Sequence, residues 1–155
     1  MSEPFIPTKQ GQVNLKLLSE GSDVQSMAYV VSIVLKEEFG RISSAEIVLD
    51  DGGFDNDSFA ISNADELLVG KNIEVCIGND MDADVLFKGI VVRQRIRIDD
   101  NTRQLVITAK HGAVKMTRVR QNRCFADKAD SDIVKDVVGE YSLDVEIEDT
   151  SVAHE

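Results

Sequence analysis

The sequence predicts a mainly β fold, a curved antiparallel sheet or split β-barrel with one C-terminal helix and a small α/β appendage. Three observations predict it. Runs rich in β-branched residues alternate with polar ones up to Lys110, Gly- and Asp-rich turns separate these runs, and a helical stripe occurs once, near the end. With 155 residues, 43% of them hydrophobic, the chain is long enough for one real core, since chains of this size bury about 68–70% of their unfolded surface.

Val13 to Leu18 alternates around Asn14 and Lys16, and Tyr29 to Phe39 is β-branched until the charged Lys36-Glu37-Glu38; both read as strands. Ala45 to Leu49 reads as a third, reached through a turn at Gly40 to Ser44. Asp50 to Glu66 breaks the rhythm and predicts a long polar loop anchored by Phe54, Phe59 and Ile61. Lys71 to Ile77, Val85 to Ile98 and Arg103 to Lys110 then read as three strands of an antiparallel meander, turning at Gly78 to Asp84 and Asp99 to Thr102. Gly89, inside the longest of them, marks a bulge or a close backbone approach that would help the sheet curl.

Ile133, Val134, Val137, Val138 and Tyr141 fall on one helical stripe, predicting a helix over Ser131 to Tyr141 with Asp130 or Ser131 as N-cap. Leu143 to Ile147 alternates again and predicts a last strand. The expected division is a barrel-like domain over residues 1–120 and the start of an α/β segment over 121–155.

Cys76 and Cys124 belong to no CxxC or Cys/His cluster, so both are expected to be reduced, packed thiols rather than a disulfide or zinc ligands. Met1 to Gln12 carries Glu3, two prolines and no long apolar run, so no signal peptide is expected and the chain is expected to be made, and to stay soluble, in the cytoplasm. The net charge of −11 argues against a general nucleic-acid binder, but it is unevenly spread. Asp50 to Asp84 holds ten acids and one base, whereas Lys88 to Arg123 holds ten bases and two acids. Two readings stand side by side: complementary faces that meet between neighbouring copies, or solvated acidic loops beside an exposed basic strand.

No catalytic constellation emerges. Asp80, Asp82 and Asp84 alternate as in a calcium loop, yet Val85 and Val91 stand where its glycine and glutamate belong, and a hairpin tip explains the same residues. Asp50, Asp51, Asp55 and Asp57 offer hard oxygen ligands for a metal hydrolase, but no nearby Lys, Arg or His completes its electrostatics. His111 and His154 accompany no nucleophile motif, and a partly buried or turn-capping role suits His111 better. The glycines form no phosphate-binding loop. Arg93, Arg95 and Arg97 lie at strand spacing on one face and are the candidate protein interface. The alternative function is a nucleic-acid-binding β-barrel tracking phosphates with the same arginines, which lacks stacking aromatics on that face.

Six segments, in order, carry a family resemblance. Val30 to Phe39, Ile42 to Leu49, Val69-Gly70-Lys71, Leu86 to Val91, Lys110 to Thr117 and Asp130 to Val134 resemble the N-terminal hub region of VgrG, the type VI secretion spike protein, and its relatives in the phage baseplate hub and late control D family. The resemblance covers most of the chain after the first 25 or so positions, apart from the acidic loop. It implies a homotrimer in the complete protein, whose paired barrel-like domains form a ring above the tail tube and carry a spike. It further implies a mechanical role without an active site or cofactor, and partners among tail-tube protein, baseplate proteins and effectors, with neither nucleic acid nor membrane insertion by this region. Assembly in the cytoplasm followed by export through the machine is implied with it. Family members are several times longer, so the chain is expected to be part of a longer protein, lacking the second hub domain and the spike.

Overall fold

The computed structural model describes residues 14–24, 28–52, 61–78, 83–99 and 102–154. Seven strands form one antiparallel sheet: β1 (Leu15–Ser19), β2 (Ser22–Asp23), β3 (Tyr29–Lys36), β4 (Ser44–Asp50), β5 (Asn72–Ile77), β6 (Asp84–Asp99) and β7 (Thr102–Lys110). Their order is β2-β1-β5-β6-β7-β4-β3, so β5, β6 and β7 form the expected meander and β3 is an edge. Asn14 to Lys16 on one side and Val30 to Ile33 on the other line a gap of about 600 Å³, which leaves the curved sheet unclosed.

Strand periodicity sends alternate residues to the concave side. Leu17, Ile73, Val75, Phe87, Val91, Leu105, Ile107, Ala109, Ala45, Ile47 and Leu49 are buried there in one cluster, with Ile61 and Leu35 packed against it. Three extra residues interrupt the registers: Val31 in β3, and Leu86 and Val92 in β6. Each is a bulge that adds twist and bends its strand, which is how a sheet of this size curls around a core. Gly89 lies between the two bulges of β6. A Cβ there would sit 2.5 Å from the Lys110 carbonyl oxygen and 2.6 Å from Phe87 Cζ, so the glycine serves close backbone approach, while the bulges fall on either side of it.

The polar stretch after β4 contains a 3-10 turn at Asp65–Leu67 that drives Leu67 into the core. Ser19 Oγ, also buried, donates to the Glu66 carbonyl and ties this turn to β1. Phe54 and Phe59 lie outside the described residues, as does Val13.

Beyond β7, a 3-10 segment (Gly112–Thr117) leads to the two-residue β8 (Lys128–Ala129), helix α1 (Asp130–Gly139) and β9 (Ala153–His154), which pairs with β8. This small α/β appendage departs from expectation in four ways. The helix N-cap is Ala129, which offers no side-chain bond, and Asp130 and Asp132 instead place negative charge in the first turn. Ser131 is buried and exchanges hydrogen bonds with Thr150, its amide donating to Thr150 Oγ1 at 3.1 Å. The helix stops at Gly139, before Tyr141. Leu143 to Ile147 forms no strand despite its alternation, because no strand lies beside it among the described residues and an unpaired ladder brings no net gain. At the other end of the fold, β3 stops at Lys36 and leaves Phe39 fully exposed.

Gly89→Ala is expected to lower the stability by about 1–3 kcal/mol, because the new methyl group meets the Lys110 backbone as well as the Phe87 ring tip, and the backbone cannot turn aside as a side chain can. Urea denaturation measures this; an unchanged midpoint would show that the backbone approach is not constrained.

Candidate functional site

Val91 faces the core opposite Ala109. Strict alternation from Val91 would turn Arg93, Arg95 and Arg97 into the same core. The extra residue at Val92 prevents it. After the bulge, Gln94 pairs with Ile107 and Ile96 with Leu105 on the core side, while Arg93, Arg95 and Arg97 stand across from Thr108, Val106 and Gln104 on the outer face. Gln94 turns inward and its Nε2 donates to the Leu67 carbonyl at 2.7 Å, so the residue between the first two arginines locks β6 to the 3-10 turn.

All three arginines are exposed. Their face continues across β7 into β4, where Thr108 pairs with Glu46, Val106 with Val48 and Gln104 with Asp50. Val106 and Val48 are buried, so an apolar strip runs beside Arg95. The structure therefore brings the three candidate residues together on one rigid strand pair, with the pitch of alternate strand positions, roughly 6.6–6.8 Å. Farther along the outer face, Lys88 and Glu74 form a cross-strand ion pair at 2.7 Å. The hydrogen bond and charge of Glu74 raise the Lys88 ammonium above its ordinary value, and Asp144 adds to this.

The acidic candidates have structural employment. Asp51 is buried at the end of β4; its Oδ1 accepts from the amides of Ile61 and Ser62 at 2.8 and 3.3 Å, and its Oδ2 from Ser62 Oγ at 2.5 Å. It closes the acidic loop at its base. Asp50 Oδ1 accepts from the Gly52 amide at 3.0 Å in a local turn. Asp55, Asp57, Asp80 and Asp82 lie outside the described residues, while Asp84 begins β6 and is exposed. Among the described residues, no three His, Cys, Asp or Glu side chains converge on a possible metal position. No described helix is long and apolar enough to cross a membrane.

His111 is exposed and its Nδ1 accepts from the Ala113 amide at 3.3 Å, capping the 3-10 segment. His154 lies in β9. Cys76 is buried, and burial pushes its thiol up, whereas Cys124 is exposed on an irregular segment and not packed as expected.

The family model of the Alg8 N-terminal domain matches residues 9–155. The chain belongs to that family. Its fold is similar to that of two solved tail proteins. One is the 43 kDa tail protein of prophage MuSo2 from Shewanella oneidensis, with a TM-score of 0.61 at 13% identity over 83% of this chain. The other is a tail protein from Neisseria meningitidis MC58, with a TM-score of 0.54 at 14% identity over 83% of this chain. The chain spans 38% of the first and 33% of the second. No curated protein matches the chain. At these identities the likeness establishes a fold shared with these two tail proteins.

Two site predictions follow from this geometry. Deleting Val92 places Arg93 directly after Val91, which keeps the three arginines on the outer face in regular alternation, and is expected to cost no more than about 1–3 kcal/mol for the lost twist; loss of cooperative unfolding in urea would show that the bulge is needed for more than its one extra residue. Asp51→Ala strips two amides of their acceptor and is expected to cost about 1–3 kcal/mol, with faster hydrogen exchange at Ile61 and Ser62. Unchanged exchange at both amides would remove Asp51 as the clamp.

Proposed function

We propose that this chain is a structural, non-catalytic module of a contractile injection machine, the barrel-like part of a spike-bearing hub like that of type VI secretion. The observation that carries the reading is the fold, an open, curved antiparallel sheet in a chain whose fold is similar to that of a prophage tail protein and a second tail protein. In this reading residues 1–120 form the hub domain and 121–155 begin a following α/β segment. The complete protein works as a homotrimer that contacts tail-tube protein, baseplate proteins and effectors. It assembles in the cytoplasm and leaves with the machine.

Arg93, Arg95 and Arg97 form the interface toward one of these protein partners. Two features support this assignment. They are held on a rigid strand pair, and they are free of the ion pairs that occupy Lys88 and Arg123 in the described structure. A protein surface with spaced carboxylates satisfies guanidinium groups in pairs.

The test is genetic and structural. In the producing strain, loss of the chain is expected to abolish assembled tail-like particles in electron micrographs. The parent gene restores them, and an Arg93→Gln, Arg95→Gln, Arg97→Gln variant that folds normally does not. Intact particles without the chain would overturn the reading. Salt-dependent binding of single-stranded DNA, lost in the same triple variant, would favour the nucleic-acid alternative instead.

A further inference from the structure

β6 runs farther than the strand on one side of it. Its ladder with β5 ends at the Asn72–Ile90 pair. Beyond that point the Gly70 amide donates to the Val91 carbonyl at 2.8 Å, the Val91 amide to the Lys71 carbonyl at 2.9 Å, and the Gln94 side chain to Leu67. On its other edge β6 stays paired with β7 as far as Asp99. From Arg95 to Asp99, one edge is therefore held in a ladder, while no strand lies along the other among the described residues. In an antiparallel strand alternate residues turn their amide and carbonyl to each side, so this edge presents backbone groups ready to pair with one more strand.

Each face of the free edge carries side chains of one kind. Ile96 and Ile98 stand on the core side but past the core, 46% and 56% exposed. Arg95 and Arg97 stand on the outer face, also exposed. A strand laid against this edge sets its own alternate residues opposite each face, at a repeat of roughly 6.6–6.8 Å.

We infer that the edge from Arg95 to Asp99 accepts an extended segment of a partner protein in which acidic residues alternate with apolar ones. Its acids lie opposite Arg95 and Arg97, and its apolar side chains cover Ile96 and Ile98. The inference rests on the assembly reading and adds to it the form and chemistry of the partner that the arginine face takes.

The edge itself selects this occupant. A helix or an irregular loop leaves the backbone groups unpaired, whereas an added strand gains affinity from the ladder and specificity from alternate side chains. A second copy is a poorer fit. Its own β6 edge, laid antiparallel over the full stretch, offers one acid, Asp99, to Arg95 and sets Arg97 against Arg97, like charges directly opposite. Its β3 edge, Tyr29–Lys36, contains no acid and ends on a lysine. The arginines thus guard the edge against copies of the chain and leave it open to an acidic strand.

The test uses the full chain and a capped heptapeptide of alternating valine and glutamate. By fluorescence anisotropy the peptide is expected to bind, and to bind about tenfold or more weakly at about 0.5 M salt, where screening is strong. Amide exchange within Arg95 to Asp99 slows on binding, a sign that side-chain attraction alone does not give. The same peptide with lysine in place of glutamate does not bind. Arg95→Glu with Arg97→Glu exchanges the preference, taking the lysine peptide and losing the glutamate one; both positions are exposed, so circular dichroism should show unchanged folding. No binding by the parent, or binding that leaves exchange in that stretch unchanged, overturns the strand edge. A parent chain that associates with itself and so excludes the peptide assigns the edge to a second copy and overturns the partner. Particle assembly in the producing strain is a separate readout: a peptide that fails while particles still require the chain rejects this edge alone, whereas particles without the chain reject the assembly reading itself.

Discussion

The bulge at Val92 is the constraint on which both the core and the candidate interface depend. β6 is the longest strand and pairs along both edges, so it sets the faces of its neighbours. Its first half supplies Phe87 and Val91 to the core, and its second half supplies Ile96, opposite Leu105, to the same side. These two sets are out of phase by one residue. One inserted residue reconciles them, and the same insertion sends the three arginines outward. Burying guanidinium groups without partners would cost several kcal/mol each, far more than the ladder bond a bulge gives up, so the bulged register wins.

Curvature follows from the same strand. Bulges at Leu86 and Val92 add twist on either side of Gly89, and the missing side chain at Gly89 lets the end of β7, at the Lys110 carbonyl, approach. The result is a sheet that curls far enough to bring β1 and β3 to opposite sides of one gap without joining them. An open edge such as β3 is a template for unwanted pairing, and it carries two of the usual defences, the bulge at Val31 and a terminal lysine at Lys36.

Much of this was legible in the sequence because period-two alternation reports burial directly. The strands around Ile33, Ile47, Ile73, Ile96 and Ile107 all fall where their alternation predicts, and Gly89 is a close approach as read. Positions where a neighbour decides the outcome were less legible. Leu143 to Ile147 has a strand's pattern but no partner, and pattern alone does not supply one. The Ala129 cap gives way to a buried Ser131–Thr150 exchange across nineteen residues, which no local motif encodes. The arginines were placed on one face correctly, yet which face was hidden in a detectable signal: the apolar phase slips from Phe87 and Val91 to Ile96 and Ile98 across the consecutive valines at 91 and 92. The role of Asp51 was missed because an acidic run reads as solvent-facing until the chain returns at Ile61 and Ser62 to donate to it.

The charge distribution narrows what the arginine face can recognise. Beyond a Debye length, roughly 8–10 Å at physiological salt, an approaching molecule responds to little but the net field, and at −11 that field repels polyanions. An extended nucleic acid must bring many phosphates near the acidic parts of the chain in order to place a few on three arginines. A protein with a local acidic patch has no such burden, because its other surfaces can be neutral or basic. The arginines thus act at contact distance, where paired hydrogen bonds to carboxylates fix orientation, and the acidic remainder screens out partners that are negative throughout. The same reasoning covers the basic segment at 115–123, where Arg123 already pairs with Glu140. In both places a sparse set of arginines on an acidic chain selects for partners whose negative charge is local and spaced.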